Sequence, residues 1–269
     1  MISFRNTLAA AISIASAVAA SLLAAAPGTH EAQAAVAAID PLFTAPASSL
    51  SAADIASLQQ RLADWAQLEH YRAENAQLAA PTRGTRRVVF FGDSITEGWV
   101  RAAGTRFFPG RPYVNRGISG QTTAQMLVRF RQDVVDLHPA AVVILAGTND
   151  IAGNTGIATL AMIEDNLRSM AELAKANGIR VILASVLPVS DYPWRPGLQP
   201  ADKVRRLNAW IAQYARTVGA AYLDYYAALA NAQGGMDRRF AEDGVHPSAA
   251  GYAVMAPLAQ RAIDTVLAP

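Results

Sequence analysis

A chain of 269 residues, 52% of them hydrophobic, is long enough for one large domain with a sizeable core. It holds no cysteine, which excludes disulfides, thiolate metal sites and a cysteine nucleophile. The formal charge is only +2, and the arginines form no basic stripe with interleaved aromatics, which argues against nucleic-acid binding. Arg86-Arg87, Arg129, Arg131, Arg205-Arg206 and Arg238-Arg239 are expected on solvated faces.

In chain order, residues 1–34 read as a secretory signal peptide. Arg5 gives a positive start, Leu8 to Ala26 is an Ala-rich apolar run, and Ala32-Gln33-Ala34 is an A-x-A-like cleavage site. A cut after Ala24-Ala25-Ala26 fits almost as well, and an uncleaved membrane anchor is the competing reading. Cleavage predicts an exported protein, periplasmic or secreted, with no stable membrane insertion. Residues 35–85 read as a linker rich in Ala, Pro and Ser followed by a helix over 51–78. Ser51 and Asp54 suit its N-terminus. Ile55, Leu58, Leu62, Trp65 and Leu68 make a stripe at helical spacing, expected to pack on the main domain. His70 on the same helix is expected at the surface.

From residue 86 to 269 short apolar runs alternate with helical stretches, the pattern of one α/β domain. Strands are predicted at 87–92, 112–116, 141–147, 180–187 and 220–224, and helices at 122–137, 158–176, 201–218 and 248–267. Val88–Phe91 and Ala141–Ala146 are apolar throughout, as strands buried on both faces must be. The alternation predicts a parallel sheet with right-handed crossovers. Residues 190–200, with Pro193, Pro196, Gly197 and Pro200, read as a long loop, of the kind that shapes binding sites.

Open α/β sheets bind ligands beyond the carboxyl ends of their strands. The segment Gly92-Asp93-Ser94 stands at such an end, and Asp243-Gly244-Val245-His246-Pro247 supplies a carboxylate and an imidazole far downstream. Ser94 is the candidate nucleophile, His246 the base and Asp243 the group that orients it. The competing readings are a helix N-cap for Ser94 and a cap or turn role for Asp243. Gly120 and the Asn149 side chain follow the second and third strands and suit oxyanion donors. A loop asparagine more commonly makes an Asx-turn, and Gly117 reads as a turn residue. Asp93 and Asp150 read as acceptors for loop backbone. Trp99, Phe107, Phe108, Tyr192 and Trp194 fall near the predicted mouth, with Trp99, Tyr192 and Trp194 as candidate substrate contacts; each suits core packing equally well. No metal site or cofactor is expected, since Walker A, HExxH and GxGxxG patterns are absent.

Four blocks, FGDSITEGW, NRGISGQTT, AGTND and DGVHP, occur in order between Arg87 and Val266. Together they resemble the SGNH (GDSL) hydrolases, above all the branch related to platelet-activating-factor acetylhydrolase and lysophospholipase-like esterases. The resemblance implies a flavodoxin-like three-layer α/β/α sandwich with a five-stranded parallel sheet, to which the N-terminal helix is an extension. It also implies a Ser94–His246–Asp243 triad. The oxyanion donors would be the Ser94 N–H, the Gly120 N–H and the Asn149 amide. The family includes acetylesterases of carbohydrates, lysophospholipases, thioesterases and arylesterases. The expected reaction is hydrolysis of short-acyl, chiefly acetyl, esters of small molecules or carbohydrates. Lysophospholipase or thioesterase activity, acyl transfer, and carbohydrate binding without catalysis are the alternatives.

Overall fold

The computed structural model describes residues 45–268. The signal-peptide reading of 1–34 and the first part of the 35–50 linker lie outside the described residues. Two helices come first, α1 (Ala52–Ala63) and α2 (Arg72–Gln77). The sheet follows: β1 (Val88–Gly92), α3 (Ser94–Arg101), β2 (Tyr113–Gly117), α4 (Thr123–Asp133), β3 (Ala141–Leu145), α5 (Thr148–Ile151) and α6 (Leu160–Ala176). The chain then runs through β4 (Arg180–Ala184), α7 (Ala201–Val218), β5 (Ala221–Leu223), α8 (Tyr226–Leu229) and α9 (Ala249–Val266). The five strands pair in parallel in the order β2-β1-β3-β4-β5.

The strand residues alternate between two cores, which is why the molecule has three layers. Val89 and Phe91 of β1, with Val142 and Ile144 of β3, pack against Phe130 of α4, Ile163 of α6 and Leu207 of α7. Val88, Phe90, Val143 and Leu145 point the other way, onto Ile95 and Trp99 of α3 and Tyr252 and Met255 of α9. Period-two side chains that are apolar on both faces require cover on both sides. β1 lies between β2 and β3, so the order reverses there. The carboxyl ends of β1, β2 and β3 meet at this switch point, where such sheets take their ligands.

The N-terminal extension departs from the single helix expected over 51–78. The Ser51–Asp54 capping box forms as the residues suggest, with Ser51 Oγ accepting from the Asp54 N–H and Asp54 accepting in return. The helix then stops at Asp64. Its carboxylate accepts the N–H groups of Leu68 and Glu69 at 2.8 and 3.0 Å, and Gln67 adopts a left-handed φ of 55°. The stripe therefore does not stay on one face. Leu62, Trp65 and Leu68 are 68%, 40% and 39% exposed, and Ala66 and Tyr71 are buried in their place. The strand predicted over 180–187 ends at Ala184, because beyond it the Val186 N–H and C=O pair with the Asn208 side chain of α7 rather than with a strand.

The expectation of solvated arginines fails at two positions. Arg87 is buried, and its guanidinium donates to the Leu137 carbonyl at 2.7 Å. Arg129 is wholly buried. It lies on α4 between Met126 and Phe130, so helical periodicity directs it inward. Its guanidinium donates to the carbonyls of Arg116 and Gly92, both at 2.9 Å, and to Asp133 at 3.0 Å, and it lies 4.2 Å from the centre of the Phe91 ring. These bonds offset part of the cost of burying the charge, though burial still lowers the Arg129 pKa against the pull of Asp133.

Candidate active site

Ser94 opens α3 directly after β1, but the N-cap of that helix is Asp93, whose Oδ1 accepts the Ile95 N–H at 2.9 Å. The Ser94 hydroxyl is thereby left for another partner, and it lies 3.0 Å from His246 Nε2. The Ser94 N–H, first in the helix, has no acceptor within it. His246 sits in the loop before α9, which Ser248 caps. Asp243 Oδ1 accepts the N–H groups of Val245 and His246 at 2.9 and 2.8 Å, closing a tight turn, while its Oδ2 lies 2.7 Å from His246 Nδ1. Both imidazole nitrogens thus face a partner, one a carboxylate and one a hydroxyl. With Nδ1–H donating to Asp243, Nε2 carries the lone pair that can take a hydroxyl proton. Partial burial raises the Asp243 pKa, but the hydrogen bonds from His246 and Val245 outweigh it and hold the carboxyl below its ordinary range.

The loops after β2 and β3 bring amide donors to the same end of the sheet. Gly120 is exposed, with φ 78°, and a side chain there would meet open space. Asn149, in α5, is buried. Its Nδ2 donates to the Gln121 carbonyl at 2.9 Å and its Oδ1 accepts from Asn154 Nδ2 at 2.8 Å. These two bonds fix which way the amide points and leave a second N–H on Nδ2. Gly117 is not a simple turn residue. A Cβ on it would stand 2.1 Å from the Glu97 backbone nitrogen, so the first turn of α3 packs directly on the end of β2.

The buried carboxylates sort as acceptors for backbone and hydroxyl groups. Burial pushes Asp93 up to about 7, against the hydrogen bond from Ile95 and the nearby His246. Burial likewise pushes Asp150 up to about 6, although it accepts from the N–H and hydroxyl of Thr123. Glu97, at the foot of α3, accepts the Ser119 N–H at 3.0 Å and the Ser119 hydroxyl, and pairs with Arg101 at 2.7 Å. His70 is exposed, as expected, and its Nε2 stands 3.7 Å from the same carboxylate.

The aromatic candidates separate by burial. Trp99 is 2% exposed and packs among Phe90, Phe107, Phe108 and Tyr252, which makes it part of the core. Tyr192 is fully buried, its hydroxyl donating to the Thr148 carbonyl at 3.0 Å. Although Tyr192 borders the cavity beside the site, neither exposes a ring face to solvent. Trp194 does: it is 41% exposed, its ring centre is 6.0 Å from that of His246, and its Nε1 donates to Asn154 Oδ1 at 3.2 Å. It comes from the proline-rich 190–200 loop. A cavity of about 310 Å³ adjoins the site, lined by Asp191, Pro196, Asn231, Arg238, Glu242 and Asp243 among others. Among the described residues no group of three or more His, Cys, Asp or Glu side chains is placed to hold a metal ion.

Sequence reasoning missed Gln121, Asn154 and Glu97, which touch the site through its loops. Gln121 and Glu97 lie inside the blocks already singled out, and Asn154 follows AGTND by four residues.

A GDSL-like lipase/acylhydrolase family model matches residues 90–254, more than half of the chain. A solved structure of a GDSL-like lipase from Bacteroides thetaiotaomicron is 46% identical, with a TM-score of 0.72 over 75% of this chain and 99% of that one. The acetylxylan esterase of Geobacillus stearothermophilus is 27% identical over 200 residues, 63% of this chain and 90% of that protein. An uncharacterised lipoprotein of Bacillus subtilis, YqeF, is 33% identical over 124 residues, 40% of this chain; the match spans about half of its length, 51%. The order of the strands, the placement of the four sequence blocks around their carboxyl ends and the family match lead to one conclusion: the chain belongs to the GDSL-like lipase/acylhydrolase family.

Proposed function

We propose that the protein is an exported serine esterase that hydrolyses short-acyl, chiefly acetyl, esters of small molecules or carbohydrates. The observation that carries this reading is the relay of Ser94 Oγ to His246 Nε2 at 3.0 Å and His246 Nδ1 to Asp243 at 2.7 Å. A hydroxyl is a weak nucleophile at its own pKa, and an adjacent base oriented by a third group activates it.

In the first step His246 Nε2 takes the Ser94 proton as Oγ bonds to the ester carbonyl carbon. The negative charge passes to the carbonyl oxygen, which rests among the N–H groups of Ser94 and Gly120 and the free N–H of Asn149. The carbon–oxygen bond to the alcohol then breaks, and the alcohol leaves with the proton from His246. Water repeats the sequence on the acyl-enzyme and restores the Ser94 hydroxyl. Asp243, kept ionised, holds the imidazole in the right tautomer and stabilises the imidazolium.

The choice of a short acyl group on a carbohydrate rests on two supports. The exposed Trp194 face beside His246 suits stacking on a sugar ring. The similar protein of Geobacillus stearothermophilus is an acetylxylan esterase. Export rests on the apolar N-terminal run and its A-x-A site; among the described residues no helix is long and apolar enough to cross a membrane.

The test is hydrolysis of p-nitrophenyl esters from acetyl to palmitoyl by the mature chain and by Ser94→Ala. The expected result is a rate that peaks at acetyl or butyryl and disappears in the variant. A peak at long chains would replace the short-acyl reading with a lysophospholipase or thioesterase. A folded protein inert toward every ester would overturn the enzymatic reading in favour of carbohydrate binding alone.

A further inference from the structure

We infer that residues 61–78 form a strap that positions the oxyanion donors, with Arg61 and Tyr71 as its positioning residues. The inference rests on the serine-esterase reading and gives the N-terminal extension, which lies before the family-matched stretch, a part in the reaction.

The strap does not dock as an amphipathic helix would. A surface helix held for stability buries its apolar stripe, yet α1 buries no residue and leaves Leu62 exposed, and Trp65 and Leu68 in the turn beyond it are exposed as well. Its polar groups land instead on the loops that carry the amide donors. Asn149 is aimed by two neighbours, Gln121 and Asn154, and the strap holds each of them from behind. Gln121 Nε2 donates to the Ala66 carbonyl at 2.9 Å, and the Arg61 guanidinium donates to the Asn154 carbonyl at 2.8 Å. Gln125, at the start of α4, donates to the Trp65 carbonyl at 2.6 Å. The Tyr71 hydroxyl donates to the Gly117 carbonyl at 2.5 Å, three residues before Gly120. The Tyr71 ring is itself fixed, buried beneath the Arg116 guanidinium at 4.5 Å.

Preorganised donors are worth most when they need not move as charge develops. Loosening the strap should leave ground-state binding alone and weaken stabilisation of the tetrahedral oxyanion. Arg61 and Tyr71 touch no substrate; they act through Asn154, Gln121 and Gly117.

The experiment compares Arg61→Ala, Arg61→Lys, Tyr71→Phe and the Arg61→Ala/Tyr71→Phe double variant in the full chain. Steady-state kinetics on p-nitrophenyl acetate, melting temperature and inhibition by phenylboronic acid are measured for each. The boronic acid bonds through boron to Ser94 Oγ and presents a tetrahedral oxyanion mimic. The double variant is expected to lose about 10- to 100-fold in kcat, the scale of a small misplacement in an active site. KM should be unchanged and the boronic acid should bind more weakly by a matching factor. Arg61→Lys, which can still donate to the Asn154 carbonyl, should recover the loss due to Arg61→Ala. A double variant with normal kcat, or one whose loss follows only its unfolded fraction, would overturn the strap. Asn149→Ala is measured beside them: if it too keeps its rate, the oxyanion assignment has failed; if it loses its rate while the strap variants keep theirs, the strap alone has failed.

Discussion

Asp93 and Ser94, adjacent in the chain, divide two tasks between them. The Asp93 carboxylate caps α3 by accepting the Ile95 N–H at 2.9 Å, and the Ser94 hydroxyl, released from capping, stands 3.0 Å from His246 Nε2. The division has an electrostatic cost, because burial pushes Asp93 up to about 7 from an ordinary 3.8.

That cost has a sign. A carboxyl whose folded pKa is raised binds its proton more tightly when folded, so its contribution to stability is full below the unfolded value near 4. It is lost as pH rises through about 7. Asp93→Asn keeps an oxygen for the Ile95 N–H and cannot ionise. Relative to wild type, the variant should therefore gain stability between pH 5 and pH 8. The gain should build at up to about 1.4 kcal/mol for each step of one in pH, and level off above the folded pKa. Asp243, whose pKa is lowered, is ionised in both folded and unfolded states across this window and adds no slope. Urea unfolding of both proteins at pH 5 and pH 8 measures the difference; one that is constant with pH would contradict the assignment.

The Asn149 amide has its orientation fixed by Gln121 and Asn154, so its free N–H is in place before any charge develops. Asn149→Ala should cost about 100- to 1,000-fold in kcat, the usual loss for one oxyanion donor. The melting temperature should fall only modestly, since the loss is of two hydrogen bonds and not of core packing. Kinetics on p-nitrophenyl acetate beside a thermal melt decide it, and a near-normal rate would remove Asn149 from the oxyanion hole.

The parts of this molecule that were legible in the sequence are those set by short-range pattern. Val88–Phe91 and Ala141–Leu145 are apolar on both faces, and such runs have few alternatives to a buried parallel strand. Ser94, Gly120, Asn149, Asp243 and His246 stand in turn-rich blocks after strands or before the last helix, and the fold gathers those blocks at one end of the sheet. Tertiary choices were not legible. Nothing local says that Asp64 will bond forward to Leu68 and Glu69 and end α1, turning Leu62 and Trp65 outward. Nor does the sequence separate Trp194, which faces solvent beside His246, from Tyr192 two residues earlier, which is buried against Thr148. Alternation along an irregular loop has no fixed period from which to read that difference.

Gly117 tests the seat of α3 on the sheet. A methyl group there would stand 2.1 Å from the Glu97 nitrogen and 2.7 Å from the Asp93 carbonyl, both backbone atoms that cannot rotate away. Gly117→Ala should push the first turn of α3, and Ser94 with it, off the end of β2. Overpacking of this kind costs about 1–3 kcal/mol or more. The variant should melt lower and, below its melting range, lose kcat as the Ser94–His246 distance opens. Gly120→Ala is the control: its Cβ would meet open space and only the positive φ is strained, so its effect on stability should be the smaller. Equal melting temperatures for the two variants would show that the close approach at Gly117 costs no more than the backbone strain at Gly120.

Arg129 and Asp133 form a wholly buried ion pair at 3.0 Å, and Arg129 also holds the Gln121 side-chain oxygen at 2.5 Å and the Gly92 carbonyl at 2.9 Å. Among the described residues Arg129→Met leaves Asp133 the Asn75 amide at 2.7 Å as its side-chain hydrogen bond, and breaking a buried ion pair by removing one partner typically costs about 3–5 kcal/mol. Adding Asp133→Leu removes the remaining charge and should recover part of the stability, but not all of it, because the bonds from Arg129 to the Arg116 and Gly92 carbonyls and to the Gln121 side chain stay unmade. It should not recover activity. Arg129 anchors Gln121, whose carbonyl orients Asn149, and neither new apolar side chain can restore that bond. The double variant is therefore expected to melt clearly above Arg129→Met while kcat stays low, so that chemical denaturation and esterase kinetics part company. Recovery of both together would mean that Arg129 matters only through its charge.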